Sequence, residues 1–327
     1  MLVASLGCES LPTQVSGGQP PARGVTFVDW TADGYATPAA AASLDALAAT
    51  GANTLIVIVT AYQRDARANQ VRSDDPRTPS RPAVGQVVVD AALRGMQIVL
   101  KPHVDLDDGR WRGTLSPADP AAWFDSYREY LVGWARYADS LSISEFVVGT
   151  ELAGTIEHEG EWRETIAAVR QVFSGRLVYA ASWDEAARVP FWDALDLVGV
   201  NFYFPVTTRR NPGRLEILGG WAPWLERLRV LGEQTGLPVL LTEIGYRSID
   251  GAGIAPHDQR STAPLDLVEQ ADLYWAAFAA IQDRDWIAGL YWWNWPADGS
   301  GGPTNADYTP AGKPAAAELA SAWRGSQ

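Results

Sequence analysis

The sequence predicts a single (β/α)8 TIM barrel, an α/β fold with parallel strands inside and helices outside. Three observations predict it. Strand-like and helix-like segments alternate along nearly the whole chain, and eight segments read as strands. Such alternation implies parallel pairing through right-handed crossovers. Several strands are continuous apolar runs, NTLIVIVTAY (53–62) above all, as expected where both faces are buried. Carboxylates, amides and aromatic residues gather at the C-terminal strand ends, where such barrels carry their chemistry. A doubly wound open sheet usually has fewer strands, and no Gly-rich phosphate loop follows any strand here.

The elements follow in order. GVTFVDW (24–30) reads as the first strand. Pro38 opens an Ala-rich helix that Gly51 stops. The apolar run 53–62 is the second strand, and a polar loop (63–80) and a helix over 82–95 follow. QIVLKPHVD (97–105) is the third strand. The segment 119–140 has helical periodicity, with Trp123, Tyr127, Leu131 and Trp134 on one buried stripe. Strands four to eight are read at 144–152, 176–182, 195–204, 238–246 and 286–296. Helices are read at 160–173, 224–235, 264–283 and 314–324, about eight in all, with long loops at 205–219 and 247–262.

Composition narrows the function. The chain has 327 residues, 47% hydrophobic and 20% charged, which suits one large folded domain. A formal charge of −13 argues against nucleic acid, whose phosphates need a basic face. It suits a neutral ligand. Tryptophan is abundant, at 15 residues. Indole rings stack on the flat C–H faces of sugars, although core packing accounts for many of them. The single cysteine, Cys8, excludes an internal disulfide. It sits in a leader (1–22) of apolar residues, Gly7, Cys8 and a Ser/Gly/Pro tether, like the end of a bacterial lipoprotein signal. The expectations are a barrel domain over 23–327, a lipid anchor on Cys8, a cell-surface or extracellular location and a monomer. An incidental cysteine in a disordered leader, and a cytoplasmic location, remain open.

The strand ends supply the candidate site. They present Asp29 and Trp30, Tyr62, Lys101, His103 and Asp105, Glu151, Trp183 and Asp184, Asn201 and Tyr203, Glu243, and the run Trp292 to Trp295. Glu151 ends VVGTEL and Glu243 ends PVLLTEIGY. A glutamate behind an apolar strand needs a partner or a purpose. Strands four and seven face each other across an eight-stranded barrel. Two such carboxylates can cleave a glycosidic bond, one protonating the leaving oxygen and one attacking the anomeric carbon. Burial should raise the pKa of the acid and leave the nucleophile ionised. His103, Lys101 and Asp105 could equally be a barrel histidine, a neutralising charge and a loop cap. Strand alternation lets only one of Trp292 and Trp293 face inward, and Trp293 shares its side with Trp295. His158 and Glu159 read as a solvated loop. Only three histidines exist and no HxH or HExxH spacing occurs, so no metal is expected.

GVTFVDW, LKPHVD, VVGTELAG, VNFYFP, LLTEIGYRS and YWWNWPAD together resemble glycoside hydrolase family 113, within clan A. The resemblance runs from about Gly24 to Trp323. It implies a retaining β-glycoside hydrolase on β-linked mannan or manno-oligosaccharides, with no cofactor. It implies Glu151 as acid/base, Glu243 as nucleophile, and Tyr203 hydrogen-bonded to the nucleophile. Lys101 and His103 would line the glycone side, and Trp293 would floor the sugar subsite. The strand-end reading itself adds Trp30, Tyr62, Asp105, Trp183, Asn201 and Trp295 as candidate substrate contacts. The clan usually has asparagine before the acid/base. Here it is Thr150, which leaves the partner of the sugar 2-hydroxyl open, with Asn201 as one candidate. The alternatives are another β-glycan, exo action enforced by the long loops, or a non-catalytic sugar-binding lipoprotein. The last would be expected to lose a carboxylate, and both are present.

Overall fold

Eight parallel strands close into a barrel in sequence order. The computed structural model describes residues 21–324, so Cys8 and most of the leader lie outside the described residues. The strands are β1 (Ala22–Val28), β2 (Thr54–Gln63), β3 (Gln97–Leu106), β4 (Glu145–Thr150), β5 (Arg176–Ser182), β6 (Leu197–Phe202), β7 (Val239–Ile244) and β8 (Ile287–Pro296). The helices are α1 (Pro38–Ala48), α2 (Arg81–Leu93), α3 (Pro120–Ser140), α4 (Glu159–Arg170), α5 (Arg214–Thr235), α6 (Leu267–Ile281) and α7 (Pro314–Arg324). None of them is long and apolar enough to cross a membrane.

Local chemistry sets several boundaries. α1, α2 and α3 each start behind a capping side chain followed by proline in the first turn. Thr37, Ser80 and Asp119 accept from the backbone N–H of Ala40, Ala83 and Ala122. This satisfies a donor that the helix leaves unpaired, and proline tolerates the first turn because it has no N–H to lose. α5 stops at Gly236, whose φ of 70° is the left-handed cap.

Two differences from the expected pattern have physical causes. About eight helices were expected, but among the described residues the β5–β6 connection has only short 3-10 turns, at Ala186–Arg188 and Trp192–Ala194. α5 also begins at Arg214, ten positions before the expected 224. Gly219 ends the expected loop, and Gly220 and Pro223 lie before the expected helix start, yet a Cβ on Gly220 would lie 1.9 Å from the Val206 carbonyl oxygen. That glycine lets the helix approach the β6 exit closely. Trp221 then stacks on Phe202 at 4.1 Å, and this packing outweighs the weak local helix propensity.

Strand alternation divides the core into two layers. Ile56, Val99, Val147, Val178, Leu240 and Tyr291 fill the barrel. Their neighbours Leu55, Val57, Leu100, Phe146 and Leu241 meet the helices. Low in the barrel the buried Glu145 accepts from Tyr291 Oη at 2.7 Å and pairs with Arg176 at 3.0 Å. The expected stripe on α3 is core, with Trp123, Tyr127, Leu131 and Trp134 all buried.

The tryptophans of β8 show how alternation is modified. Trp292 is buried and lies flush on Tyr274 of α6, with ring centroids 3.7 Å apart and planes 8° apart. The β1–β8 register then shifts, pairing Thr26 with Trp293 and Phe27 with Trp295, so Asn294 is an extra residue. Trp293 and Trp295 therefore take opposite sides. Replacing the buried indole in Trp292→Ala should cost about 3–5 kcal/mol. A marked fall in the thermal unfolding midpoint checks this, and an unchanged midpoint would contradict the packing role.

Candidate active site

β4 and β7 deliver the two glutamates to the C-terminal mouth by different means. β4 carries a register shift between Val147 and Gly149. A Cβ on Gly149 would sit 2.7 Å from the rings of Trp162 and Tyr179, so only glycine lets the strand settle there. The chain then turns sharply at Glu151, whose φ of 52° is uncommon for a side-chain-bearing residue. Its own N–H still reaches the Ala180 carbonyl at 2.8 Å. Glu243 stays inside β7, beside Asn201 of β6 in the register.

The two carboxylates have different partners. Glu243 is buried and ion-paired: Lys101 Nζ donates to Oε1 at 2.5 Å, and Tyr203 Oη donates to Oε2 at 2.9 Å. Lys101 is fully buried and also donates to the Thr242 carbonyl at 3.1 Å. Burial lowers the Lys101 pKa, and the negative charge of Glu243 opposes that. Glu151 receives only neutral donors, Asn201 Nδ2 to Oε1 at 3.0 Å and Trp111 Nε1 to Oε2 at 2.8 Å. Burial and the nearby Glu243 charge hold its carboxyl above the ordinary range, against Arg112, Trp111 and Asn201.

Asn201 is the bridge. Thr242 Oγ1 donates to its Oδ1 at 2.9 Å, which fixes the amide so that Nδ2 faces Glu151. Asn201 thus spends its oxygen on Thr242. Its second Nδ2 N–H and the second lone pair of Oδ1 are what it has left for a sugar.

The other expected residues sort by position. The His103 ring lies parallel to Trp293, at 6.1 Å and 13°. Its Nε2 is buried with no partner among the described residues. Burial, then Arg112 and Lys101, push its pKa well down. Asp105 pairs with Arg112 at 2.5 Å. Tyr62 sits opposite Asp105 in the β2–β3 register. The Arg77 guanidinium covers its ring at 3.6 Å, and burial pushes its phenol up to about 12. Trp30 is exposed at the β1 exit. Trp183 is half-buried past β5, edge-on to Phe204 at 5.4 Å and beside His257 at 6.0 Å. Trp30 and Trp183 flank the hydrogen-bonded set without joining it.

Trp295 is a correction. It is buried, and its Nε1 donates to Ser43 Oγ on α1 at 3.0 Å. The extra residue Asn294 breaks the two-residue period that grouped it with Trp293. It packs behind the sheet, against α1, on the side away from Trp293.

The site also contains residues absent from the strand-end list. Trp111 and Arg112 come from the loop DDGRWRG (107–113) after β3. Trp111 is 47% exposed although its indole nitrogen reaches Glu151. A lone tryptophan in a polar loop was the available signal. Among the described residues, no group of three or more His, Cys, Asp or Glu is arranged to hold a metal ion.

The barrel agrees with comparisons against known proteins. Among curated proteins, no sequence relative matches. Among solved structures, a GH113 β-1,4-mannanase is 26% identical, with 94% of this chain and 99% of that chain covered and a TM-score of 0.87. The GH113 β-mannanase AaManA from Alicyclobacillus acidocaldarius, solved with ManMIm, is 29% identical, with 94% and 98% covered and a TM-score of 0.87. A family 5 mannosidase from Rhizomucor miehei, 10% identical over 94% of each chain with a TM-score of 0.63, shares the barrel fold. The model of Glycoside Hydrolase Family 113 matches residues 25–313. With nearly the whole barrel inside that match, the chain belongs to glycoside hydrolase family 113.

Proposed function

We propose that this chain is a retaining β-mannanase in which Glu243 is the nucleophile and Glu151 the acid/base. One observation carries the assignment: the two carboxylates sit in opposite electrostatic settings. Lys101 and Tyr203 both donate to Glu243, which is thereby ion-paired and held on both oxygens. Glu151 has no ion-pair partner among the described residues, and burial beside Glu243 favours its protonated form. A carboxyl that can hold a proton beside an ion-paired one is the pairing that double displacement uses. The solved relatives at 26% and 29% identity are β-mannanases, which supports mannan as the substrate.

In the first step a Glu243 oxygen bonds to the anomeric carbon as the glycosidic C–O bond breaks. Glu151 gives its proton to the departing oxygen. In the second step water attacks the same carbon and loses a proton to Glu151, and the Glu243 ester bond breaks. The atoms balance as one water consumed per bond cleaved. The parallel Trp293 and His103 rings offer a flat floor for the sugar held by Glu243. The exposed Trp111 face, tied to the acid by its nitrogen, offers a platform on the leaving-group side.

Glu151→Ala should lower kcat/KM on mannan by about 10²- to 10⁴-fold. Glu243→Ala should bring turnover to background. With the wild-type enzyme, proton NMR of the first product should find the β-anomer. An α-anomer at first release would exclude double displacement. Cleavage of β-glucan or β-galactan in place of mannan would overturn the substrate assignment and keep the carboxylate pair.

The acid must be protonated to work, and its pKa lies above the ordinary value. The alkaline limb of kcat/KM should therefore lie above the usual carboxylate range of about 4.3, and Glu151→Ala should remove it. A limb that survives in the variant belongs to another group.

Lys101→Met strands Glu243 as a buried charge without its cation, which should destabilise the fold by about 3–5 kcal/mol. Thermal unfolding reads that loss, and an unchanged midpoint would mean that Glu243 is solvated enough to do without it.

A further inference from the structure

Glu185 is fully buried in the turn after β5, and the reaction proposed above does not use it. Tyr179, also fully buried, donates its hydroxyl to Glu185 Oε1. The Ser182 N–H donates to Oε2 at 3.0 Å. The same Tyr179 hydroxyl oxygen accepts the Leu152 N–H at 3.0 Å. Leu152 directly follows Glu151. A chain therefore runs from Ser182 through Glu185 and Tyr179 to the backbone beside the proposed acid.

The need for this chain follows from the backbone. Glu151 has φ of 52°, a conformation that costs on the order of 1–3 kcal/mol and persists only where surroundings impose it. The Glu151 N–H still bonds β5, at Ala180. Past that residue the chain leaves the ladder, and the buried Leu152 N–H has lost its strand partner. An unpaired buried N–H is costly. Tyr179 supplies the acceptor, and both Glu185 oxygens must accept in turn to hold Tyr179 and Ser182. Glutamine cannot replace this, because its amide offers only one acceptor atom.

We infer that Tyr179 and Glu185 are a positioning pair that locks the Glu151 backbone in its left-handed turn, so that its carboxyl meets the glycosidic oxygen. The inference rests on the assignment of Glu151 as acid/base. The pair also links the site to pH. Burial pushes the Glu185 carboxyl up to about 7, opposed by Tyr179 and the Ser182 N–H and reinforced by the Glu151 charge. Around Glu151 the other groups are Glu243 of β7, Arg112 and Trp111 of the β3 loop, and Asn201 of β6. The two carboxyls are coupled through the Glu151 charge, which acts on Glu185.

The test compares Tyr179→Phe and Glu185→Gln on two substrates, a manno-oligosaccharide and a dinitrophenyl β-mannobioside, whose leaving group departs without a proton. Misplacing the acid should lower kcat/KM on the oligosaccharide by about 10- to 100-fold. The activated substrate should form the glycosyl-enzyme at close to the wild-type rate. Equal losses on both substrates would overturn the positioning role and leave the pair as packing. No loss on either substrate would overturn it as well. Tyr179→Phe removes a single oxygen, so it keeps the test valid if Glu185→Gln fails to fold. Glu151→Ala is the control. If it too loses both substrates equally, the acid/base assignment itself fails. If it is selective and the pair variants are not, only the pair is wrong.

Discussion

The organisation of the mouth depends on one buried ion pair, Lys101 of β3 with Glu243 of β7, at 2.5 Å across the barrel. Two charges removed from water are stable together only when hydrogen bonds satisfy what remains. Tyr203 meets the second Glu243 oxygen, and the Thr242 carbonyl meets Lys101. Thr242 in turn orients Asn201, and Asn201 orients Glu151. Strands three, four, six and seven are thus tied into one polar unit above an apolar barrel interior. The contrast between an ion-paired and an unpaired carboxylate is a property of that unit, not of either glutamate alone.

Much of this was legible in the chain. The eight strands have the expected order, and their limits shift by a few residues at most. Apolar runs buried on both faces leave little freedom in where a strand runs. Glu151 and Glu243 stood out because each follows such a run, where an acid without a role would be costly. Lys101, His103, Asn201 and Tyr203 were legible for the same reason, as polar positions at the ends of apolar strands.

What was hidden lay where periodicity stops. Trp295 was misread because one inserted residue, Asn294, reverses the facing that a strict two-residue period predicts. Trp111 and Arg112 belong to a loop with no period at all. Glu185 was passed over beside Asp184, which sits nearer the strand end but is exposed. The start of α5 was missed because glycine and proline mark loops in sequence, whereas here the glycine permits close packing. In each case a tertiary contact decided a local choice.

The β5–β6 connection differs from the longest connections of the rim. Residues 183–196 return to the sheet through two short turns, whereas 64–80 and 245–266 are longer stretches without α-helix. Lengthening a loop that is already long adds little to its closure entropy. The β5–β6 segment has no such latitude, since it holds Trp183 on the rim and Glu185 beneath it. Relatives with altered clefts should therefore differ mainly in the two longer loops, and loop grafting aimed at new glycans has its room there.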